Sequence, residues 1–168
     1  MAMANDNDSV RTLYVREFNL FREATPEETL LAARQAIAKR FRRGVTLNSP
    51  GLVREYLRVS FATLEHEVFC VLLLDARHRL LSFQQMFRGT IDGAAVFPRE
   101  VVKEVLKYNA AAVIFAHNHP SGLAEPSVAD GAITRRLREA LALIDVQVLD
   151  HLVVAGTSFV SMAERGWI

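Results

Sequence analysis

Two short, unbroken apolar runs constrain this chain more than any other feature. Residues 67–74 read EVFCVLLL, apolar after one acid, and residues 110–116 read AAAVIFA. Neither approaches the roughly 20 apolar residues of a membrane-spanning helix. Neither shows the polar alternation of a half-exposed strand. Their length and their β-branched and aromatic content favour strands buried on both faces, and such strands need cover above and below.

The helix signals supply that cover. Thr25-Pro26-Glu27-Glu28 has an N-cap, a proline at the first helical position and the second half of a capping box. Leu30, Ile37 and Phe41 then recur near helical spacing until Gly44. Ser49-Pro50 opens a second helix with Leu52, Val53, Tyr56, Leu57, Phe61 and Leu64 on one face. Pro98 opens a third, with Val101, Val102, Val105 and Leu106 on one side, and a fourth carries Ile133, Leu137, Leu141 and Ile144 inward. Residues 79–87 return from a turn at Asp75–His78 as the partner strand of 67–74, and Gly89 and Gly93 mark a loop. Residues 146–154 are strand-like, Gly156 to Val160 suggest a last turn and strand, and residues 10–24 suggest a short strand or hairpin. The expected fold is α/β, a mixed β-sheet with helices on both faces. The expected organisation is a mobile tail over 1–9, a strand and helix extension over 10–48, and one domain over 49–168.

Composition removes several classes. With 51% hydrophobic and 23% charged residues, whole-chain disorder is excluded. A single cysteine, Cys70, excludes a disulfide scaffold. A net charge of +1 gives no global push toward nucleic acid. The first residues lack a basic stretch followed by an apolar one, so no signal peptide is visible. A cytoplasmic protein without membrane contact is expected.

The chemistry sits in His117-Asn118-His119-Pro120-Ser121-Gly122 and in Ser127-Val-Ala-Asp130. In extended geometry residues i and i+2 face the same way, so the two imidazoles converge at a strand end that Pro120 stops. Two nitrogens plus a carboxylate from Asp130 would suit zinc, whose catalytic sites keep one position for water. The bland readings are a polar surface loop and, for Ser-x-x-Asp, a capping box. Asn118 points the other way and is expected to brace the loop.

The whole string, His-x-His-Pro-x-Gly, seven residues, Asp, with Ser three before the Asp, resembles the signature of the JAMM (MPN+ or JAB) metalloprotease family. Residues 66–154 resemble its bacterial RadC branch through FRGTIDGAAVFPREVVKEVLKYNAAAVIFAHNHPSG, EPSVAD and ITRRLREALALIDVQVLDHLVVAG. The resemblance implies a three-layer JAB/MPN-like architecture of the kind cytidine deaminases share. It implies Zn²⁺ held by His117, His119 and Asp130, and a glutamate general acid/base at the head of a buried strand. Glu67 fits that place, with Glu65 as competitor in the tail of the preceding helix. Ser127 would donate to the oxyanion of amide hydrolysis in a protein or peptide substrate. Longer RadC proteins carry an N-terminal helix-hairpin-helix region. No such glycine-hairpin pattern is visible in the roughly fifty residues before the domain, so the short form is expected.

Three other readings compete. A zinc deaminase needs His-x-Glu and Cys-x-x-Cys, which one cysteine excludes. A DNA-repair-associated or other nucleic-acid-binding or protein-binding module would use Arg34, Lys39, Arg40, Arg42 and Arg43, or Arg135, Arg136 and Arg138. The bland reading of those residues is solvated helix faces. A JAMM domain with a structural or inactive metal is the third. His66, His78 and His151 are expected to be structural or, for His151, the hydrogen-bonded partner of a ligand. Cys70 is expected to be an inert buried thiol. Exposed sheet edges make a homodimer conceivable.

Overall fold

The computed structural model describes residues 12–40, 42–47, 50–62, 64–90 and 95–168. The tail over 1–9, Phe41, Ser49 and Gly93 lie outside them. Among the described residues the chain begins with a hairpin, β1 (Tyr14–Glu17) and β2 (Leu20–Glu23), and continues with helices α1 (Pro26–Arg40) and α2 (Pro50–Phe61). A second hairpin follows, β3 (Val68–Leu74) and β4 (Leu80–Arg88), then α3 (Pro98–Lys107), β5 (Ala112–Asn118), α4 (Val128–Ala142), β6 (Gln147–Ala155) and β7 (Ser158–Ser161). No helix among these residues is long and apolar enough to cross a membrane.

The five C-terminal strands form one mixed sheet in the order β4-β3-β5-β6-β7. Only β5 and β6 run parallel, as the α4 crossover between them requires. Every residue of β3 and β5 is buried, which explains why both read as unbroken apolar runs. Period-two alternation divides their side chains between two cores. Val68, Cys70, Leu72 and Leu74 meet Val53, Leu57 and Phe61 of α2 on one face. Phe69, Val71 and Leu73 meet Val101 and Val105 of α3 and Leu137 and Leu141 of α4 on the other. The result is three layers, helix, sheet and helices, as expected from the sequence. Burying each such side chain contributes about 1.5–3 kcal/mol, so these two faces carry most of the fold.

The N-terminal hairpin is a separate matter. Phe18 at its tip is 98% exposed with φ +53, and Leu20 and Phe21 are exposed too. It joins the rest through α1, which packs on α2.

One boundary differs from the sequence reading. The apolar run starts at Ala110, but β5 starts at Ala112, where β6 begins to pair with it at Gln147; the strand then runs on through His117 and Asn118 toward Pro120, as expected, with His117 paired to Val153 and Asn118 to Val154. The backbone N–H of His119 still donates to the Val154 carbonyl at 2.8 Å.

Candidate metal centre

The site forms where β5 leaves the sheet and α4 enters. Pro120 ends the strand, and Gly122, at φ +85, turns the chain where a side chain would be strained. The loop then carries the Leu123 carbonyl back to within 2.8 Å of His119 Nδ1. Ser127 caps α4 from an extended backbone, accepting from the Asp130 N–H while the Asp130 carboxylate accepts from the Ser127 N–H. That reciprocal box fixes Asp130 in the first turn, facing the strand end.

Three residues, two from the strand end and one from the first turn of the helix, meet there. His117 Nε2 and His119 Nε2 are 2.9 Å apart. Asp130 Oδ1 lies 3.3 Å from His117 Nε2, and Oδ2 lies 3.7 Å from His119 Nε2. One ligand atom from each falls within 4.8 Å of the others, so the group could hold a metal ion. The donor chemistry fits. A carbonyl only accepts, so His119 Nδ1 carries the ring proton in the neutral imidazole and Nε2 presents a lone pair to the centre. Two nitrogens and one carboxylate oxygen make a borderline-hard set with room for a further ligand.

The electrostatics favour a neutral His117 and an ionised Asp130. Burial pushes His117 down to about 4, against the upward pull of Asp130. His119 is raised, first by Asp130, then by the Leu123 carbonyl, with the Glu67 charge adding to it. Burial alone would raise Asp130; His119, His117 and Ser127 outweigh it and hold the carboxylate well below its usual range.

The sheet register separates Glu67 from Glu65. Phe69 pairs with His117 across the antiparallel β3–β5 ladder. Two residues back from Phe69 on the same face is Glu67, opposite the place of His119. Its backbone is pinned on the other side, where the Glu67 N–H donates to the Thr90 carbonyl at 2.9 Å and the Gly89 N–H donates to the Glu67 carbonyl at 2.8 Å. Glu65 is exposed in the bend before the strand. Asn118 does brace this region: it accepts from the Val68 N–H at 2.8 Å and donates to the His66 carbonyl at 3.0 Å. One amide thus holds the peptide groups on both sides of Glu67.

The Ser127 hydroxyl donates to Asp130 Oδ2 at 2.6 Å. His78 lies in the β3–β4 turn, at the far end of β3 from Glu67. Cys70 is buried on the α2 side, its thiol pushed up to about 12, and is therefore unreactive. Sequence reading missed Thr134 and did not commit to His151, both buried beside the centre. Two signals pointed to them: an ionisable residue inside the apolar strand 146–154, and a threonine four residues after Asp130, hence on the same helix face.

Known proteins resemble this chain over most of its length. The family model of the RadC-like JAB domain matches residues 47–167. The chain belongs to the RadC-like JAB domain family. Every residue of the centre falls inside the matched stretch. A UPF0758 protein of Cellvibrio japonicus is 58% identical over 142 residues, 84% of this chain and 63% of that protein. One from Azotobacter vinelandii is 54% identical over the same length, again 63% of that relative, so the chain spans under two thirds of these proteins. A UPF0758 protein of Vibrio cholerae is 54% identical over 149 residues, covering 89% of this chain and 94% of the relative.

Proposed function

We propose that this RadC-like protein is a zinc-dependent hydrolase that cuts an amide bond, peptide or isopeptide, in a protein or peptide substrate. The observation that carries the reading is the convergence of His117, His119 and Asp130 with ligand atoms within 4.8 Å, on a strand end that the register sets opposite Glu67.

His117, His119 and Asp130 would hold the ion, and residues 49–168 form the catalytic unit. A zinc ion held there would polarise the substrate's carbonyl and lower the pKa of a water from ~15.7 toward ~7. The Glu67 carboxylate takes the proton of the attacking water and delivers it to the leaving amine nitrogen. The Ser127 hydroxyl turns from Asp130 to donate to the developing oxyanion; losing such a donor costs roughly 10²–10³ in rate in other enzymes. Asn118 keeps the Glu67 peptide in place during the transfer. No nucleophilic side chain is required, in keeping with the inert Cys70.

Elemental analysis of the untagged protein tests the first half. About one zinc per chain in the wild type, lost in His117→Ala/His119→Ala, is expected; no zinc even after adding it back would sink the reading. Glu67→Gln tests the second half: zinc and fold are kept, and hydrolysis of whichever peptide or isopeptide substrate the wild type cuts is abolished. Full activity in that variant would remove Glu67 from the mechanism.

A second reading rests on Arg135, Arg136 and Arg138, all exposed on α4. On it the domain is a DNA-associated module with a structural metal. DNA affinity falling steeply between 50 and 200 mM salt supports phosphate contacts; no binding at low salt ends it.

A further inference from the structure

Behind His117 lies a chain of buried polar contacts that the hydrolytic mechanism does not use. His117 Nδ1 is 2.8 Å from His151 Nε2. His151 Nδ1 is 2.5 Å from Thr134 Oγ1. Thr134 Oγ1 is in turn 2.5 Å from the main-chain carbonyl of Asp130. Both His151 and Thr134 are buried, His151 completely. The His151 ring is held edge-on by Phe69 and Phe115, with centroids 5.4 and 5.8 Å away, so it has little freedom to turn.

The directions of these bonds follow from one end. A carbonyl only accepts, so the single hydroxyl proton of Thr134 goes to Asp130. Thr134 Oγ1 must then accept from His151, which places the ring proton of His151 on Nδ1. His151 Nε2 is left as an acceptor and must receive the proton on His117 Nδ1. The remaining nitrogen of His117, Nε2, therefore presents a lone pair toward Asp130 and His119. The opposite tautomer of His151 would force a proton onto His117 Nε2, pointing into the centre where a metal ligand is needed.

We propose that His151 and Thr134 form a tautomer-setting relay that holds His117 ready to bind metal before any metal arrives. They are positioning residues: neither reaches the centre itself. The relay also starts and ends on candidate ligands, His117 on β5 and Asp130 on α4, and so ties strand and helix together through one line of hydrogen bonds. Outer partners that orient a ligating histidine are generally carboxylates, carbonyls or water, and their loss typically costs 10–100-fold in metal affinity. Here a second buried histidine takes that place. The proposal rests on the metal reading of the site, and its test separates the two.

Imidazole ¹⁵N NMR of the metal-free wild type reads the tautomers directly. The relay expects protonated Nδ1 and bare Nε2 on both His117 and His151; a proton on Nε2 of either neutral ring overturns it, whatever the metal does. Zinc affinity by chelator competition is the second readout. His151→Leu leaves the His117 Nδ1 proton without an acceptor and is expected to weaken zinc by roughly 10–100-fold. His151→Gln can accept from His117 and donate to Thr134, and is expected to recover most of that loss. Equal affinity in wild type and His151→Leu would overturn the proposal. Should His151→Leu fail to fold, Thr134→Val decides: mixed His151 tautomers and weaker zinc support the relay, and an unchanged spectrum and affinity refute it. A wild type that takes no zinc would overturn the metal reading, while the tautomer pattern would still decide the relay.

Discussion

Helices α1 and α4 begin in the same way and serve different ends. At α1 the Thr25 N–H donates to Glu28 Oε2 at 2.9 Å, and the Glu28 N–H donates to Thr25 Oγ1 at 3.2 Å. At α4 the Ser127 N–H donates to Asp130 Oδ2 at 2.7 Å, and the Asp130 N–H donates to Ser127 Oγ at 3.1 Å. Both are capping boxes that satisfy orphan amides reciprocally. The difference is what the carboxylate meets next. Glu28 is clasped by Arg22 from β2, at 2.7 and 2.8 Å, and its charge is neutralised at the surface. Asp130 instead faces two histidine nitrogens at 3.3 and 3.7 Å. A cap is a local device, and only its tertiary neighbour turns one into a candidate ligand.

The sharpest way to break this comparison is to remove charge from each box while keeping its shape. Asp130→Asn retains an oxygen for the Ser127 N–H but loses the anionic ligand. Zinc affinity should fall by at least ~100-fold, the upper end of what an outer partner costs, with helix content by circular dichroism unchanged. Glu28→Gln should leave zinc affinity as it was. Equal zinc affinity in the two variants would mean that the α4 box is only a cap.

Removing the hydroxyls gives a smaller effect. Ser127→Ala and Thr25→Ala each delete an N-cap, which typically costs about 1 kcal/mol. Because α4 packs into the sheet core, the Ser127→Ala loss should appear in global urea unfolding. Because α1 packs on α2 and carries an exposed hairpin, the Thr25→Ala loss should appear as faster hydrogen exchange confined to the first turn of α1. A global loss of equal size in both variants would erase the distinction between core and extension.

The smallest effect is one of pH. Arg22 first, and the Thr25 N–H second, hold the Glu28 carboxyl down to about 2, against 4.5 without them. A carboxyl depressed on folding contributes stability above its unfolded value; that contribution is lost as pH falls from 4.5 toward 2. The pair is exposed, so the change in stability is slight, and the carboxyl ¹³C shift of Glu28 is the better measure. Its midpoint should lie near 2 in the wild type and return toward 4.5 in Arg22→Met. A wild-type midpoint near 4.5 would show that the clasp does not persist in solution.

Much of this was legible in the chain. The runs at 67–74 and 110–116 announced buried strands because burial on both faces leaves no place for polar alternation. Thr25–Glu28 and Ser127–Asp130 announced helix starts because capping involves neighbours three residues apart. His117 and His119 announced convergence because a strand repeats every two residues. The start of that strand was less legible: the apolar run begins at Ala110, but β5 begins at Ala112 because β6, from a distant part of the chain, offers it partners only from Gln147 onward.

What the sequence determined, then, is everything that contiguous residues can decide through period, cap and turn: the order of elements, the two-faced core, and the pairing of His117 with His119. What only the tertiary structure decided is everything set by register between distant segments. Glu67, at the head of its apolar run, lies opposite His119 because Phe69 pairs with His117. Asn118 grips the peptides around Glu67 because β5 lies beside β3. His151 stands behind His117 because β6 runs parallel to β5, and Thr134 closes the line because α4 crosses over both. Hydrogen-bond direction passes through space from one such group to the next, and no local pattern in the chain records it.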